Sequence, residues 1–351
     1  MHYTSIENIH KVIDPLFLDD LRAELNEIQQ IQVDKTRKQK LEAYRDKLSQ
    51  LTFLDPAAGS GNFLTETYLC LRRLENQALR LLSDQLVMGD TINNPIKVSI
   101  QQFYGIEIND FAVTVAKTAL WIAESQMLKE TEDIISHTID FLPLKSYVNI
   151  VEANALRIDW ETVVPKDRLN YIMGNPPFVG TKLMNKEQKS DTKHILGKLK
   201  SFGVLDYVSC WYVLASQYSK DSTIRCAFVS TNSICQGEQV TILWKPLIEQ
   251  GIHINFAHRT FQWDSEANLK AHVHCIIIGF SYIDDPKKYI YNGSSISQVK
   301  QINPYLVEAP TVFIDKMKTP ICNMPAMYLG CDYKDGDHYI LSEAEKDELI
   351  T

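Results

Sequence analysis

A doubly wound α/β fold, with a mostly parallel sheet covered by helices on both faces, is what this 351-residue sequence predicts. Three observations lead there. From residue 52 onward, short apolar runs alternate with longer amphipathic stretches, the pattern of strand–helix–strand units. A glycine turn, Gly59-Ser60-Gly61, directly follows the first apolar run, where such a sheet carries a ligand at the carboxyl ends of its strands. The chain is long enough to bury a large core and exceeds one ordinary compact domain, so one big unit with extensions is expected.

Leu18, Leu21, Leu25 and Ile28, then Leu41, Tyr44 and Leu48, recur at helical spacing. Residues 11–50 therefore read as helix, and residues 1–50 as an N-terminal helical extension. Strands are expected near Thr52–Asp55, Gln102–Glu107, Tyr147–Val151, Tyr171–Met173, Cys226–Ser230, Ile252–Phe256 and Val273–Phe280, the last antiparallel. Helical periodicity falls on Asn62–Leu82, Phe111–Leu128, Tyr207–Tyr218 and Val240–Glu249, giving a main domain over residues 51–283. The polar stretches Asp84–Lys97 and Thr181–Lys200 read as mobile loops. Asp284-Asp285-Pro286-Lys287-Lys288 reads as a boundary, and residues 284–351 as an extension of irregular or small β structure.

Composition excludes several classes. With 45% hydrophobic and 23% charged residues the chain is an ordinary globular protein. No basic segment followed by an apolar core opens it, and Val273–Phe280 is too short to span a bilayer, so a cytoplasmic protein without a membrane segment is expected. Seven scattered cysteines, never in C-x-x-C spacing, fit reduced core thiols better than disulfides or structural zinc. His272, His274 and Cys275 alternate along an apolar strand and read as packing residues, so no metal is expected. Glu187-Gln188-Lys189 resembles a nuclease E-x-K but lacks a preceding strand that bears an acid. The formal net charge of −8 argues against a general nucleic-acid footprint, yet charge is local. Lys182, Lys186, Lys189, Lys193, Lys198 and Lys200 stand against only Glu187 and Asp191, and a second basic run spans Lys35 to Lys47.

The chemistry concentrates in two strings. In Asp55-Pro56-Ala57-Ala58-Gly59-Ser60-Gly61-Asn62-Phe63, the glycines admit a ligand to the backbone, and the helix start that follows favours a carboxylate or phosphate. The string lacks the Gly-Lys-Ser/Thr of a phosphate-binding loop and the third glycine of a dinucleotide fingerprint. Further on, Glu107 in Gly105-Ile106-Glu107-Ile108-Asn109 ends a strand with an acid suited to two ribose hydroxyls, with Ile108 able to flank a purine. The second string is Asn175-Pro176-Pro177-Phe178, just past an apolar strand. Consecutive prolines fix the backbone and remove two donors, so the Asn175 side-chain oxygen and the Pro176 carbonyl can both accept from one NH₂ group. Two such acceptors favour a tetrahedral amine with its lone pair directed at an electrophile, and Phe178 supplies a stacking face for a base.

Together these strings resemble class I S-adenosyl-L-methionine-dependent N6-adenine DNA methyltransferases, and more closely the methyltransferase core of single-chain type IIG and IIL restriction–modification enzymes. Ile13-Asp14-Pro15-Leu16-Phe17-Leu18-Asp19-Asp20-Leu21, the helix from Phe111 to Glu124, and Thr260-Phe261-Gln262-Trp263 support the closer match, which covers roughly Lys11 to Phe280. The resemblance implies that S-adenosyl-L-methionine is the cofactor. It further implies that Asp55, Pro56, Ala57, Gly59, Gly61, Asn62 and Phe63 border its methionine part, Glu107 and Ile108 its ribose and purine, and Asn154, Ala155 and Leu156 its adenine. Asn154 stands where the wider family more often has Asp, and Ala58 where close relatives have Cys. Asn175, Pro176, Pro177 and Phe178 would be catalytic, Phe261 a further wall of the base pocket, and Lys182, Lys186 and Lys189 contacts to the DNA backbone.

The resemblance implies double-stranded DNA as partner and a target adenine extruded from the stack. It also implies a target-recognition region or specificity subunit outside these residues, toward which residues 284–351 would lead. Methylation of RNA or of protein glutamine, and a catalytically silent binding core, are the rival expectations.

Overall fold

The computed structural model describes residues 4–83, 95–135, 148–263, 273–315, 317 and 343–350. It opens with α1 (Ile6–Ile13), a π-turn (Asp14–Leu18), α2 (Asp19–Gln29) and α3 (Asp34–Gln50). Pro15 contributes no N–H at the start of the π-turn, where the helical ladder widens. There follow β1 (Phe53–Asp55), α4 (Asn62–Ser83), β2 (Phe103–Glu107), α5 (Asp110–Ile135), β3 (Asn149–Glu152) and β4 (Tyr171–Gly174). Next come α6 (Lys186–Leu196), α7 (Ser209–Ser219), β5 (Arg225–Thr231), α8 (Gly237–Glu249), β6 (His253–Trp263), β7 (Val273–Ser281), β8 (Lys288–Asn292) and β9 (Ser295–Val299). The chain divides into two units after Phe313, and in the second the described element is α9 (Glu343–Ile350).

The sheet order is β3-β2-β1-β4-β5-β7-β6-β8-β9. Strands β1 to β5 pair in parallel, and β7 inserts antiparallel between β5 and β6. The order reverses at β1, with β2 on one side and β4 on the other, so the crevice for a ligand opens at the carboxyl ends of these strands. Alternate residues face opposite layers. Phe53 and Met173 join the core beneath α1–α5, whereas Leu54 and Ile172 join the core beneath α7 and α8.

The expected doubly wound sheet is therefore present, with three differences in detail. The N-terminal helices are built into the fold: the Phe17 ring lies 5.1 Å from Phe53 and 4.9 Å from Tyr171, between α2 and the sheet. The lysine-rich stretch expected as a loop instead forms α6, because Asn185 and Gln188 close a reciprocal capping box and Asp191, Thr192 and Leu196 are buried. Its few apolar positions hid the helical period. Residues 288–299, assigned from sequence beyond the main domain, add a hairpin to the sheet through β8 and β6, although the exposed face of β9 shows little apolar alternation. The stretches 84–94, 264–272 and 318–342 lie outside the described residues, as do His272, Cys322 and Cys331.

Candidate active site

The strand ends β1, β2, β3 and β4 bring the two sequence strings together. Beyond β1, Gly59 and Gly61 adopt φ of +54° and +80°, a backbone open to glycine and costly to other residues. A side chain at Gly59 would meet nothing within 4 Å, whereas one at Gly61 would strike Ala116 of α5 at 2.8 Å. The first glycine thus leaves space over the turn, and the second lets α4 and α5 close together. The turn is held from behind: Ala58 N–H donates to Ile106 O at 3.0 Å, and the Trp211 indole donates to Pro56 O at 3.1 Å.

Glu107 sits at the end of β2, with one oxygen accepting from Gly59 N–H at 2.8 Å and the other from Asn109 N–H at 2.9 Å. These bonds fix the carboxylate plane and leave further lone pairs for an incoming hydroxyl. Ile108 and Phe111 just beyond are 67% and 69% exposed, two large apolar faces beside an acid. Asp55 is buried, accepts from Ala57 N–H at 2.9 Å, and lies so close to Gly174 that a side chain there would collide with its carboxylate. Burial pushes Asp55 up to about 7; the Ala57 amide pulls it down and the Glu107 charge adds to the rise.

Asn154, after β3, forms an Asx turn by accepting from Leu156 N–H at 2.9 Å and donates from its amide to Asp191 at 3.0 Å. Asp191 also accepts from Arg157 at 2.6 Å and from the Tyr207 hydroxyl at 3.0 Å. Burial alone would raise Asp191, but these three donors outweigh it and hold its carboxyl below the usual range. Ala155, Leu156, Pro56 and Phe63 are buried; Ala57 and Asn62 are half-buried, with Asn62 accepting from the Ser60 hydroxyl at 3.1 Å.

At the end of β4, Asn175 donates from its amide to Thr4 Oγ1 at 3.1 Å. With the amide so placed, its Oδ1 is buried without a hydrogen-bond partner among the described residues. A buried acceptor without a partner is costly, so its retention here points to a ligand donor. Pro176 is buried, Pro177 exposed and Phe178 half-buried at the edge of the core. Phe261, half-buried on β6, carries Lys11 Nζ 5.0 Å from its ring centroid, so a cation from α1 already engages that ring. Lys182, Lys186 and Lys189 are exposed. Thr4, Trp211, Asp191 and Tyr207 were not singled out from sequence, since each acts through a partner far away in the chain.

Residues 31–292 match the family model described as the DNA-methyltransferase domain of MmeI. The chain belongs to that family. Over all of its length this MmeI-type domain is 40% identical, across 354 aligned residues, to DNA methyltransferase A of Bacillus subtilis (strain 168), of which it covers 39%. It is also similar to the type IIL restriction–modification enzyme MmeI in its complex with DNA, at a TM-score of 0.92 and 44% identity, covering 99% of this chain and 47% of that one. The MmeI-type domain thus spans less than half the length of these relatives. No described helix is long and apolar enough to cross a membrane.

The site fits the cofactor that the family implies. A nucleoside bearing a cationic amino-acid arm needs a hydroxyl acceptor, apolar faces for a purine, backbone room and nearby negative charge. Glu107, Ile108 with Phe111, Gly59 and Asp55 offer these in turn.

Proposed function

We propose that this domain methylates the N6 amine of adenine in DNA, with S-adenosyl-L-methionine as donor, within a cytoplasmic restriction–modification protein. The observation that carries the reading is the buried, partnerless Asn175 Oδ1 beside the Pro176 carbonyl, at the end of the strand that faces the glycine turn. When bound, the cofactor supplies an electrophilic methyl group. The chain's own residues do the rest by position. Glu107 would hold the ribose hydroxyls, Ile108 and Phe111 would cover the purine, and Asn154 would orient its edge from the turn that Asp191 anchors. Asp55 and the Gly59 turn would place the amino-acid arm.

Opposite them, Asn175 Oδ1 and the Pro176 carbonyl would accept both amine hydrogens of an extruded base. Its nitrogen is thereby turned from planar toward tetrahedral, and Phe178 stacks on the ring. No proton acceptor of high basicity is needed, because the proton becomes acidic only once the nitrogen carries its new substituent. Catalysis on this reading rests on orientation and on fixed dipoles. Lys182, Lys186 and Lys189 would meet phosphates, and a sequence reader elsewhere in the full protein would choose the site.

Asn175→Ala should lower methyl transfer to duplex DNA by at least about a hundredfold, the scale of losing one fixed polar contact to the reacting group. Cofactor affinity should be unchanged. Labelled methyl offered alongside DNA, RNA and protein should appear on adenine N6. Retained transfer in the variant, or label on glutamine or RNA instead, would overturn the reading.

A further inference from the structure

Between α1 and α4 lies a group of ligating side chains that the methylation reading does not use. His10 on α1 faces Glu66 and Cys70 on α4, with one ligand atom from each lying within 4.8 Å of the others. The spacing in sequence explains why no motif advertises them. His10 and Asp14 are one helical turn apart, as are Glu66 and Cys70, but the two pairs are joined only by the packing of two helices.

Three edges define the group. His10 Nε2 is 3.3 Å from Glu66 Oε1, Cys70 Sγ is 3.5 Å from the same oxygen, and Nε2 to Sγ is 4.0 Å. Two of these contacts converge on one oxygen, which Arg73 also approaches at 3.5 Å. As edges of a coordination tetrahedron the two to Glu66 are close to ideal, and the one from Nε2 to Sγ is about 0.5 Å wide. Metal–ligand distances of about 2.0 Å to nitrogen and oxygen and about 2.3 Å to sulfur give edges of about 3.3 to 3.6 Å. The other imidazole nitrogen is placed as such a site requires: His10 Nδ1 is 2.8 Å from Asp14 Oδ1, which selects the tautomer that leaves Nε2 with its lone pair toward Glu66 and Cys70. Arg22 in turn neutralises Asp14 at 3.2 Å.

From this geometry we infer that His10, Glu66 and Cys70 form a zinc site, with Asp14 orienting the histidine. A neutral imidazole, a carboxylate and a thiolate balance a dication, and binding releases the thiol proton to solvent. His10 is 26% exposed at its side chain, which leaves a fourth position to water. The ion would tie α1 to α4. Since Thr4, which precedes the Ser5 cap of α1, meets the Asn175 amide, the tie also holds the helix that follows that contact.

The test uses the chain stripped of metal by a chelator, then titrated with Zn²⁺ by calorimetry and with Co²⁺ followed by absorption. One ion per chain is expected, with a tetrahedral cobalt spectrum that includes thiolate charge transfer. Cys70→Ser and His10→Gln should abolish stoichiometric binding and the charge-transfer band, while Asp14→Asn weakens binding about tenfold to a hundredfold. His274→Ala, at an exposed β7 position, should bind as the parent does. Binding of under a tenth of an equivalent by the parent chain, a cobalt spectrum without thiolate character, or undiminished affinity in Cys70→Ser would each overturn the proposal. The cobalt spectrum of the parent chain decides the matter even where a variant does not fold.

Discussion

Asp55 gives the site a pH dependence whose size follows from its surroundings. The carboxyl is buried, receives one amide N–H from Ala57 and faces Glu107, and burial dominates, so it titrates at about 7. A cationic amino-acid arm prefers the ionised form. If only that form binds, cofactor affinity falls by a factor of about 2 at pH 7 and about 11 at pH 6, relative to its alkaline limit. Calorimetric titration of S-adenosyl-L-methionine between pH 6 and 8 measures this directly, and Asp55→Asn should flatten the profile. The effect on stability without cofactor has the opposite sense. Because the folded value lies above that of an unfolded aspartate, the contribution is full below about 4 and disappears as pH rises through about 7, by at most about 4 kcal/mol. The unliganded chain should therefore gain stability relative to Asp55→Asn as pH falls from 8 to 5.5, and saturating cofactor, binding only the ionised form, should flatten that trend. A parent affinity that does not change between pH 6 and 8, or an equal slope in Asp55→Asn, would refute the reasoning.

Other outcomes follow from single contacts. Thr4→Val removes the acceptor that orients the Asn175 amide and should lower the methyl-transfer rate about fivefold, the worth of one neutral hydrogen bond, with cofactor affinity unmoved. Gly61→Ala adds left-handed strain of about 1–2 kcal/mol to a collision with Ala116 worth about 1–3 kcal/mol, which a denaturant curve should report as their sum. Replacing Lys182, Lys186 and Lys189 together by Ala should reduce the slope of log affinity for DNA against log salt by about 2.7 if each meets one phosphate, without altering which base is methylated.

Much of the site was legible because its chemistry is written in contiguous strings. Glycines at a strand-to-helix turn, an acid at the next strand end, and an amide followed by two prolines each need adjacent residues, since backbone dihedrals and missing N–H groups are local properties. Strands β1, β2, β4 and β5 were visible for a related reason: two covered faces demand uninterrupted apolar runs. Helix α6 was not visible, because a capping box and a buried Asp191 replace the apolar stripe on which periodicity relies. Small β structure was expected near β8 and β9, but its addition to the main sheet was not visible, because the exposed side chains of β9 leave little alternation to read.

The sequence by itself determined the fold class, the family and the two strings that mark cofactor and base. Tertiary structure alone decided which of their atoms have partners. Asn175 Oδ1 is buried without a donor while Thr4, 171 residues earlier in the chain, meets the amide's nitrogen side. Asp55 titrates near neutrality only because a folded sheet excludes water from it, and His10 meets Glu66 and Cys70 only because α1 packs on α4. Local chemistry can be read along a chain, whereas desolvation and long-range pairing depend on what folding brings near.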